Sequence, residues 1–503
     1  GGKKITGNLG TPYRDHLVEH LGRGTKGHAD LCAYFFLRAA GLLRPGGMFG
    51  LVATNTIAQG DTREVGLDQL AADGCVFPRA VPSRKWPGAA SLEVAYVWLR
   101  KGTGTTHAEN GSATTAPAWA SPFVLDDKVV SGVTSFLTEP GMVSGPPQRL
   151  AANAGKSYKG SDPLGIGFII EEREAKDLIE RNPKNAEVVQ LFLNGEDLNS
   201  RPDQSASRWT IHFRDWPLDR DSAPDGYAGP VASDYPECLA ILEARVKPIR
   251  QRVRPEGGYV LRTPLPQKWW IYNCPRPELY RTMDGIKMAL VRSETSNTHA
   301  MVFVSTGIVL SNKLCVFALK DPTFFHVMQS SIHEIWARYY GSTLRTDMVY
   351  TMADCFDTFP FPSEPLTSLD PIGETYYEHR RRIMLERQQG LTKTYNRFHD
   401  PEESDVEIQR LRDLHMAMDQ AVAVAYGWVE LDLDHGFHET KQGLRFTISD
   451  PARREVLARL LKLNHERYAE EVAQGLHDKK KPKGKKKSVA ADAGRSLFGE
   501  EWS

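Results

Sequence analysis

Residues 30–55 read DLCAYFFLRAAGLLRPGGMFGLVATN, and this stretch decides the class of the amino-terminal region. Leu31, Tyr34, Phe35, Leu37 and Leu42 recur at near-helical spacing, which predicts a helix from Asp30 to Leu43. Pro45-Gly46-Gly47 then stops it. The apolar run Met48 to Ala53 follows at once, and a run of that kind bounded by turn residues suits a strand covered on both faces. Working outward, a helix from Arg63 to Ala72 leads to strand-like Val76 to Val81 and Leu92 to Leu99, while the Gly-rich, basic leading segment has no hydrophobic periodicity. Residues 1–102 are therefore α/β.

Residues 103–121 are rich in Thr, Gly, Ser and Ala, so a boundary is expected there, with 103–150 as a linker or excursion. Residues 151–365 read as a separate α+β domain of short strands: Gly167 to Ile170, Trp209 to Phe213, Trp269 to Tyr272, Met288 to Val291, Met301 to Val304 and Lys313 to Leu319. Helical segments interrupt near 172–181, 233–252 and 323–340. Residues 366–475 turn helical, most clearly from Ser404 to Tyr426, where Ser404 and Glu407 fit a capping box and Gly427 lies just beyond the end. A second helix is expected from Asp450 to about Gly475, and the Lys-, Ala- and Gly-rich residues 476–503 read as a disordered basic tail.

The 503 residues are 41% hydrophobic and 25% charged, ordinary values for a soluble chain of roughly two to four domains. No apolar run is long enough to cross a bilayer and the start lacks a signal-peptide core, so a cytoplasmic protein is expected. The six cysteines are scattered and form no CxxC pair, which suggests buried thiols, with neither a disulfide framework nor a metal site. Lys plus Arg equals Asp plus Glu at 63 each, so net charge gives no argument for a polyanionic partner. Any nucleic-acid surface must come from local clusters, such as Arg245 to Arg254 and Lys479 to Lys487.

The order helix, Leu42-Leu43-Arg44-Pro45-Gly46-Gly47, strand resembles the crossover into the fifth strand of class I S-adenosylmethionine-dependent methyltransferases. Asp30 to Phe36 resembles the adenine methyltransferase segment beside the methyl donor, and Ala53-Thr54-Asn55 with Gln59 to Arg63 resembles that family's strand-end loop. Open α/β sheets place ligands at the carboxyl ends of their strands. The resemblance thus makes Asp30 and Asn55 candidates for S-adenosylmethionine binding, with helix capping as the alternative for Asp30. Ser83 to Ala90 (SRKWPGAA) stands where the family sets a side chain against an extruded base, and Trp86 offers a flat apolar surface for stacking. Packing of Trp86 beneath the sheet is the other reading.

An adenine N6-methyltransferase also needs a Gly-containing loop after its first strand and an Asn/Asp-Pro-Pro-Tyr/Phe motif, and neither occurs here. In the family that motif lies just ahead of a segment like Gly1 to Gly7, so the resemblance implies a chain that begins immediately after it. It implies the carboxy-terminal half of a Rossmann-like class I methyltransferase sheet, of gamma-type motif order, with a hydrophobic edge that needs covering. Such a chain alone would neither bind the donor tightly nor methylate DNA.

Residues 157–362 resemble the target-recognition domains of adenine methyltransferases from single-chain restriction-modification and phage-defence proteins. The matching segments are Tyr158-Lys159-Gly160 with Gly167 to Ile170, Leu193 to Leu198, Arg208-Trp209, Gly341 to Asp347 (GSTLRTD) and Phe356 to Pro362 (FDTFPFP). Ser342, Thr343, Arg345 and Thr346 group hydroxyls with a guanidinium, a set suited to phosphates and guanine edges, and Lys159, Arg262, Lys268 and Lys313 add charge near turns and strand starts. The resemblance continues through Leu391 to Asp400 and Ala425 to Trp428 in the helical region. His399, with no partner nucleophile or ligand spacing, reads as a capping or hydrogen-bonding residue.

The implied function is that of a site-specific adenine-N6 DNA methyltransferase, using S-adenosylmethionine on double-stranded DNA in a restriction-modification or phage-defence system. A nuclease domain or defence-system subunits are possible companions, and no membrane is implied. The alternative is a non-catalytic DNA sequence-recognition module of such a system. The expected fold is an α/β half-sheet followed by an α+β target-recognition domain and a carboxy-terminal helical region.

Overall fold

The computed structural model describes residues 3–25, 27–88, 92–102, 122–140, 146–319, 321, 323–344, 347–363 and 370–477. Helix α1 (Leu31–Leu42) starts at Asp30, whose carboxylate accepts the Leu31 N–H at 3.0 Å. Beyond Pro45, Gly46 takes a φ of 75°, a left-handed conformation that lets the chain reverse into strand β1 (Met48–Thr54). Lys101 clasps this turn: its ammonium donates to the Leu43 carbonyl at 2.8 Å, and its own carbonyl accepts the Gly46 N–H at 3.0 Å.

Strands β2 (Val76–Lys85), β3 (Glu93–Arg100), β4 (Phe123–Leu125) and β5 (Lys128–Val130) join β1 in one sheet of order β1-β3-β2-β4-β5. Strand β3 runs antiparallel to both β1 and β2, and β4 lies parallel to β2. Residues 123–130, read from sequence as part of an excursion, thus extend this sheet; residues 103–121 lie outside the described residues. Ala33, Phe36, Leu37 and Ala40 of α1 pack on Phe77, Ala80, Val97 and Leu99.

Two local expectations need correction. Strand β1 is not covered on both faces: Met48 and Val52 are 47% and 52% exposed, because β1 is the sheet's edge and only its alternate residues turn toward the core. The buried stripe of α1 holds Phe36 and Ala40 in place of Phe35 and Leu42, which face outward.

The region after residue 146 builds four further sheets among the described residues, three of them within residues 157–349. Strand β6 (Ser157–Lys159) borders a sheet of order β12-β10-β14-β6 that includes β10 (Met288–Ser293), β12 (Val302–Ser305) and β14 (Leu314–Phe317). A second, β13-β8-β9-β7, holds β7 (Ile169–Ile170), β8 (Val189–Leu193), β9 (Arg208–Ile211) and β13 (Val309–Leu310). The third is a hairpin, β15 (Ser342–Leu344) with β16 (Asp347–Val349), extended by β11 (Thr295–Ser296). Helices α2 (Ser331–Tyr340), α3 (Asp370–Arg387), α4 (Leu391–Phe398), α5 (Val406–Ala425) and α6 (Asp450–Ala473) follow, with a β-hairpin, His435–Thr440 and Gly443–Ile448, set among them. One apolar cluster runs from Leu193 to Leu461 and joins the sheet of β6, β10, β12 and β14 to the helices, while a second, from Phe168 to Val309, packs around the sheet of β7, β8, β9 and β13.

Trp269 to Tyr272, expected as a strand, forms turns. The carbonyls of Trp269 and Ile271 accept from the buried Arg250 guanidinium at 3.3 and 2.5 Å, and Trp270 Nε1 donates to the Trp216 carbonyl at 2.9 Å. Aromatic density here reflects burial, which strand propensity mimics. Helix α5 begins one residue later than the expected capping box. Asp405, not Ser404, is its cap, accepting the Glu407 N–H at 2.9 Å, and its ion pair with Arg387 holds its carboxyl down at about 2. Four of the six cysteines are buried and Cys32 and Cys274 are half-buried. Among the described residues no helix is long and apolar enough to cross a membrane, and the Lys479 to Lys487 run lies outside them.

Candidate nucleic-acid interface

The carboxyl ends of β1 and β2 and the start of β3 meet at one rim of the first sheet. Asn55, the first residue beyond β1, donates from Nδ2 to Ser83 Oγ at 3.1 Å and to Glu93 Oε2 at 3.3 Å, and the Ser83 hydroxyl donates to the same carboxylate. One amide thereby ties the three strand ends together. Trp86 stands just past β2 on that rim, and its N–H donates to the Leu92 carbonyl at 2.9 Å. The residue is 39% exposed, so it borders solvent at the strand ends. Asp30 acts as the α1 cap, and its N–H donates to Thr62 Oγ1 at 3.1 Å. Burial, reinforced by the Asp30 charge, pushes the neighbouring Cys32 thiol up to about 11.

The β15–β16 hairpin comes from far along the chain to dock on the loop after β1. Gln59 makes the contact: its Nε2 donates to Thr343 Oγ1 at 3.0 Å, while its Oε1 accepts from the Thr343 N–H at 3.1 Å and from the Ser342 hydroxyl at 3.2 Å. Ser342 and Thr343 thus spend polar groups on the first sheet's loop, while Arg345 and Thr346 lie outside the described residues. Beneath this clasp Arg63 is 6% exposed, donates to Asp68 at 3.0 Å and lies 3.8 Å over the Phe136 ring. Phe136 in turn stacks on Tyr339 of α2, with ring centroids 5.6 Å apart. Gln59 and Arg63 are therefore two of the joints between the two units, beside Thr138, whose hydroxyl lies 2.5 Å from that of Tyr339. Sequence reading quoted Gln59 and Arg63 in the strand-end loop but gave them no role, because Thr343 and Phe136, their partners across the joint, stand far along the chain.

Lys159 is half-buried in an ion pair with Glu294 at 2.5 Å, and the Glu294 N–H donates to the Lys313 carbonyl at 2.8 Å, so these two neighbour one another. Lys313, Arg262 and Lys268 are exposed. His399 is the residue that ends α4; burial pushes its imidazole down to about 3, and its Nδ1 finds no hydrogen-bond partner among the described residues.

Comparison with known proteins adds to this geometry. No curated protein matches the chain. Residues 276–363 match the family model described as MmeI, target recognition domain. The solved structure of the Type IIL restriction-modification enzyme MmeI in complex with DNA superposes over 91% of this chain and 55% of its own, at a TM-score of 0.61 and 18% identity. The type IIG restriction endonuclease BpuSI aligns at a TM-score of 0.28 and 10% identity, over 82% of this chain and 52% of its own, and carries no argument. This chain therefore spans about half the length of the MmeI chain, shares its fold over nearly all of the described residues, and carries an MmeI-type target recognition domain.

Proposed function

We propose that the chain reads double-stranded DNA by sequence within a restriction-modification enzyme, as the carboxy-terminal half of a site-specific adenine-N6 methyltransferase. The observation that carries this reading is the clasp of Gln59 on Ser342 and Thr343, which sets a target-recognition hairpin on the strand-end loop of an α/β sheet. A reader fixed there delivers its duplex to the rim that holds Trp86. The open edge of β1 supports the same reading, since an exposed strand edge is where a larger sheet would continue.

The chain's own residues have definable tasks. Asn55, Ser83 and Glu93 hold the rim rigid, and Trp86 offers its face to a base swung out of the stack, where stacking offsets part of an unpairing cost of about a few kcal/mol. S-adenosylmethionine would supply the methyl group in the complete protein. Asp30 and Asn55 fit it poorly as principal ligands, because the Asp30 carboxylate caps α1 and the Asn55 amide is engaged by Ser83 and Glu93. That engagement favours the second reading, a sequence-recognition module without catalysis of its own.

Selection from a random duplex library, followed by transfer of labelled methyl groups in the complete protein, tests both. Enrichment of one motif is expected, and Trp86→Ala is expected to lower turnover on that motif by about tenfold or more while leaving duplex affinity nearly unchanged, the pattern of a lost transition-state contact. A library that returns no motif would remove the DNA-reading assignment.

A further inference from the structure

Residues 252–260 (RVRPEGGYV) leave the reader as a two-stranded ribbon. The Arg254 N–H donates to the Gly258 carbonyl at 2.9 Å, the Val260 N–H donates to the Arg252 carbonyl at 2.8 Å, and Val253 bridges to Tyr259 between them. Gly257 and Gly258 turn the tip with φ of 94° and 76°, which glycine adopts without strain. Every residue from 252 to 260 is exposed, and Val253, Tyr259 and Val260 are so at 63%, 41% and 41%. Grouped apolar side chains rimmed by charge mark an interaction surface.

The charge on and just beyond this ribbon is mostly positive. Glu256 is the only acidic residue between Arg252 and Pro264, and Arg252, Arg254 and Arg262 form no ion pair among the described residues. A few positions earlier the pattern is opposite, with Arg245 paired to Glu174 at 2.7 Å and Lys247 to Glu243 at 2.6 Å. Uncompensated guanidinium groups interleaved with apolar side chains suit a polyanion that also presents flat apolar edges.

The base of the ribbon is anchored. Arg250 is 1% exposed, and its guanidinium donates to the carbonyls of Pro163 at 2.6 Å and Ile271 at 2.5 Å, while Gln251 donates to the Pro266 carbonyl at 3.1 Å. The segment that Arg250 grips also holds the turn before Lys313: the Ser161 N–H donates to the Leu310 carbonyl at 2.7 Å, and the Asn312 N–H to the Ser161 carbonyl at 2.8 Å. One hydrogen-bonded framework thus carries both the ribbon and Lys313.

Resting on the reading that this chain reads duplex DNA, we propose that the 252–260 ribbon enters the major groove of the target. Arg252, Arg254 and Arg262 contact backbone phosphates, and Tyr259 and Val260 lie against base edges. The major groove is about 12 Å wide and admits a two-stranded ribbon, and apolar side chains within it meet thymine methyl groups. The ribbon lies outside residues 276–363, so it adds a second reading element to the matched domain.

The test titrates the full chain with a labelled mixed-sequence duplex over a series of salt concentrations. Combined Arg252→Ala and Arg254→Ala is expected to lower the slope of log affinity against log salt by about 1.8, two phosphate contacts at about 0.9 each. Tyr259→Ser is expected to weaken binding by about fivefold at constant salt with the slope unchanged, the lower end of a base contact. Because all three positions are exposed, melting curves of the variants should match the parent. If the parent chain binds duplex and the arginine variant keeps its slope and affinity, the ribbon proposal is overturned while the DNA-reading assignment stands. If the parent chain fails to bind duplex even at low salt, the underlying reading falls and the ribbon proposal falls with it.

Discussion

The first sheet and the reader differ in where apolar surface stays open. In the first sheet it lines one helix and one edge strand, and in the reader and its helices it falls at positions far apart along the chain, such as Ile166, Ile249 and Val406. Helix α1 and strand β1 leave Phe35, Leu42, Met48 and Val52 between 47% and 72% exposed, whereas the reader and its helices close over Trp336, Tyr350 and Tyr376 to 1% exposure or less. A unit that ends in open apolar surface is completed by what it docks against. A unit that encloses so many aromatic rings is limited instead by the polar groups enclosed with them. Arg380 is one, satisfied without a carboxylate by Gln329 Oε1 at 3.0 Å, the Tyr395 hydroxyl at 3.0 Å and the Met301 carbonyl at 2.6 Å. Buried histidines, His212, His299, His333 and His415 among them, are others.

The largest effect should come from acid. Burial pushes His212 down to about 3 and lowers His299, His333 and His415 as well, and all four lie in the reader and helical unit. Their folded values lie below the unfolded value of about 6.5, so their neutral forms contribute fully above that pH, and the contribution is lost as the pH falls beneath it. Each histidine is expected to remove up to about 1.4 kcal/mol of stability per pH unit in that window. Melting curves followed from about pH 7 to about pH 4 check this, and a melting temperature that stays level would contradict it. Next in size is Trp336→Ala. The ring is fully buried and its Nε1 donates to Thr358 Oγ1 at 3.1 Å, so a loss of about 3–5 kcal/mol is expected in denaturant unfolding of the reader. An equal shift in the first sheet's unfolding would mean that the two units melt as one. The smallest is Gln59→Ala, which removes the clasp between the units for about 1 kcal/mol. Amide exchange should quicken at Thr343 and leave the β10 strand unchanged; unchanged exchange at Thr343 would show that the hairpin holds its place without Gln59.

Local punctuation made the first sheet legible. Pro45-Gly46-Gly47 fixes where α1 stops and β1 begins, and Asn55 and Trp86 became site candidates through the family resemblance, in line with the placing of ligands at strand ends. Which side of β1 is wet could not be read, because a short apolar run looks the same at an edge and in a sheet's centre. Trp269 to Tyr272 misled for a related reason: its backbone groups are satisfied by the Arg250 side chain, and the pattern of apolar residues carries no record of such a partner. The clasp itself was out of reach. Gln59 and Thr343 are 284 residues apart, and nothing in either neighbourhood names the other.

Strand β1 also bears on handling the protein at high concentration. Only one of its two rows of backbone groups is paired, with β3, and no other strand joins it among the described residues, while Met48 and Val52 sit bare along it. A margin of this kind is a template for its own copies. Purified chain is therefore expected to cloud by edge-to-edge stacking, and a lysine substituted at Val52 would give that margin the repulsive charge with which natural sheets guard their borders.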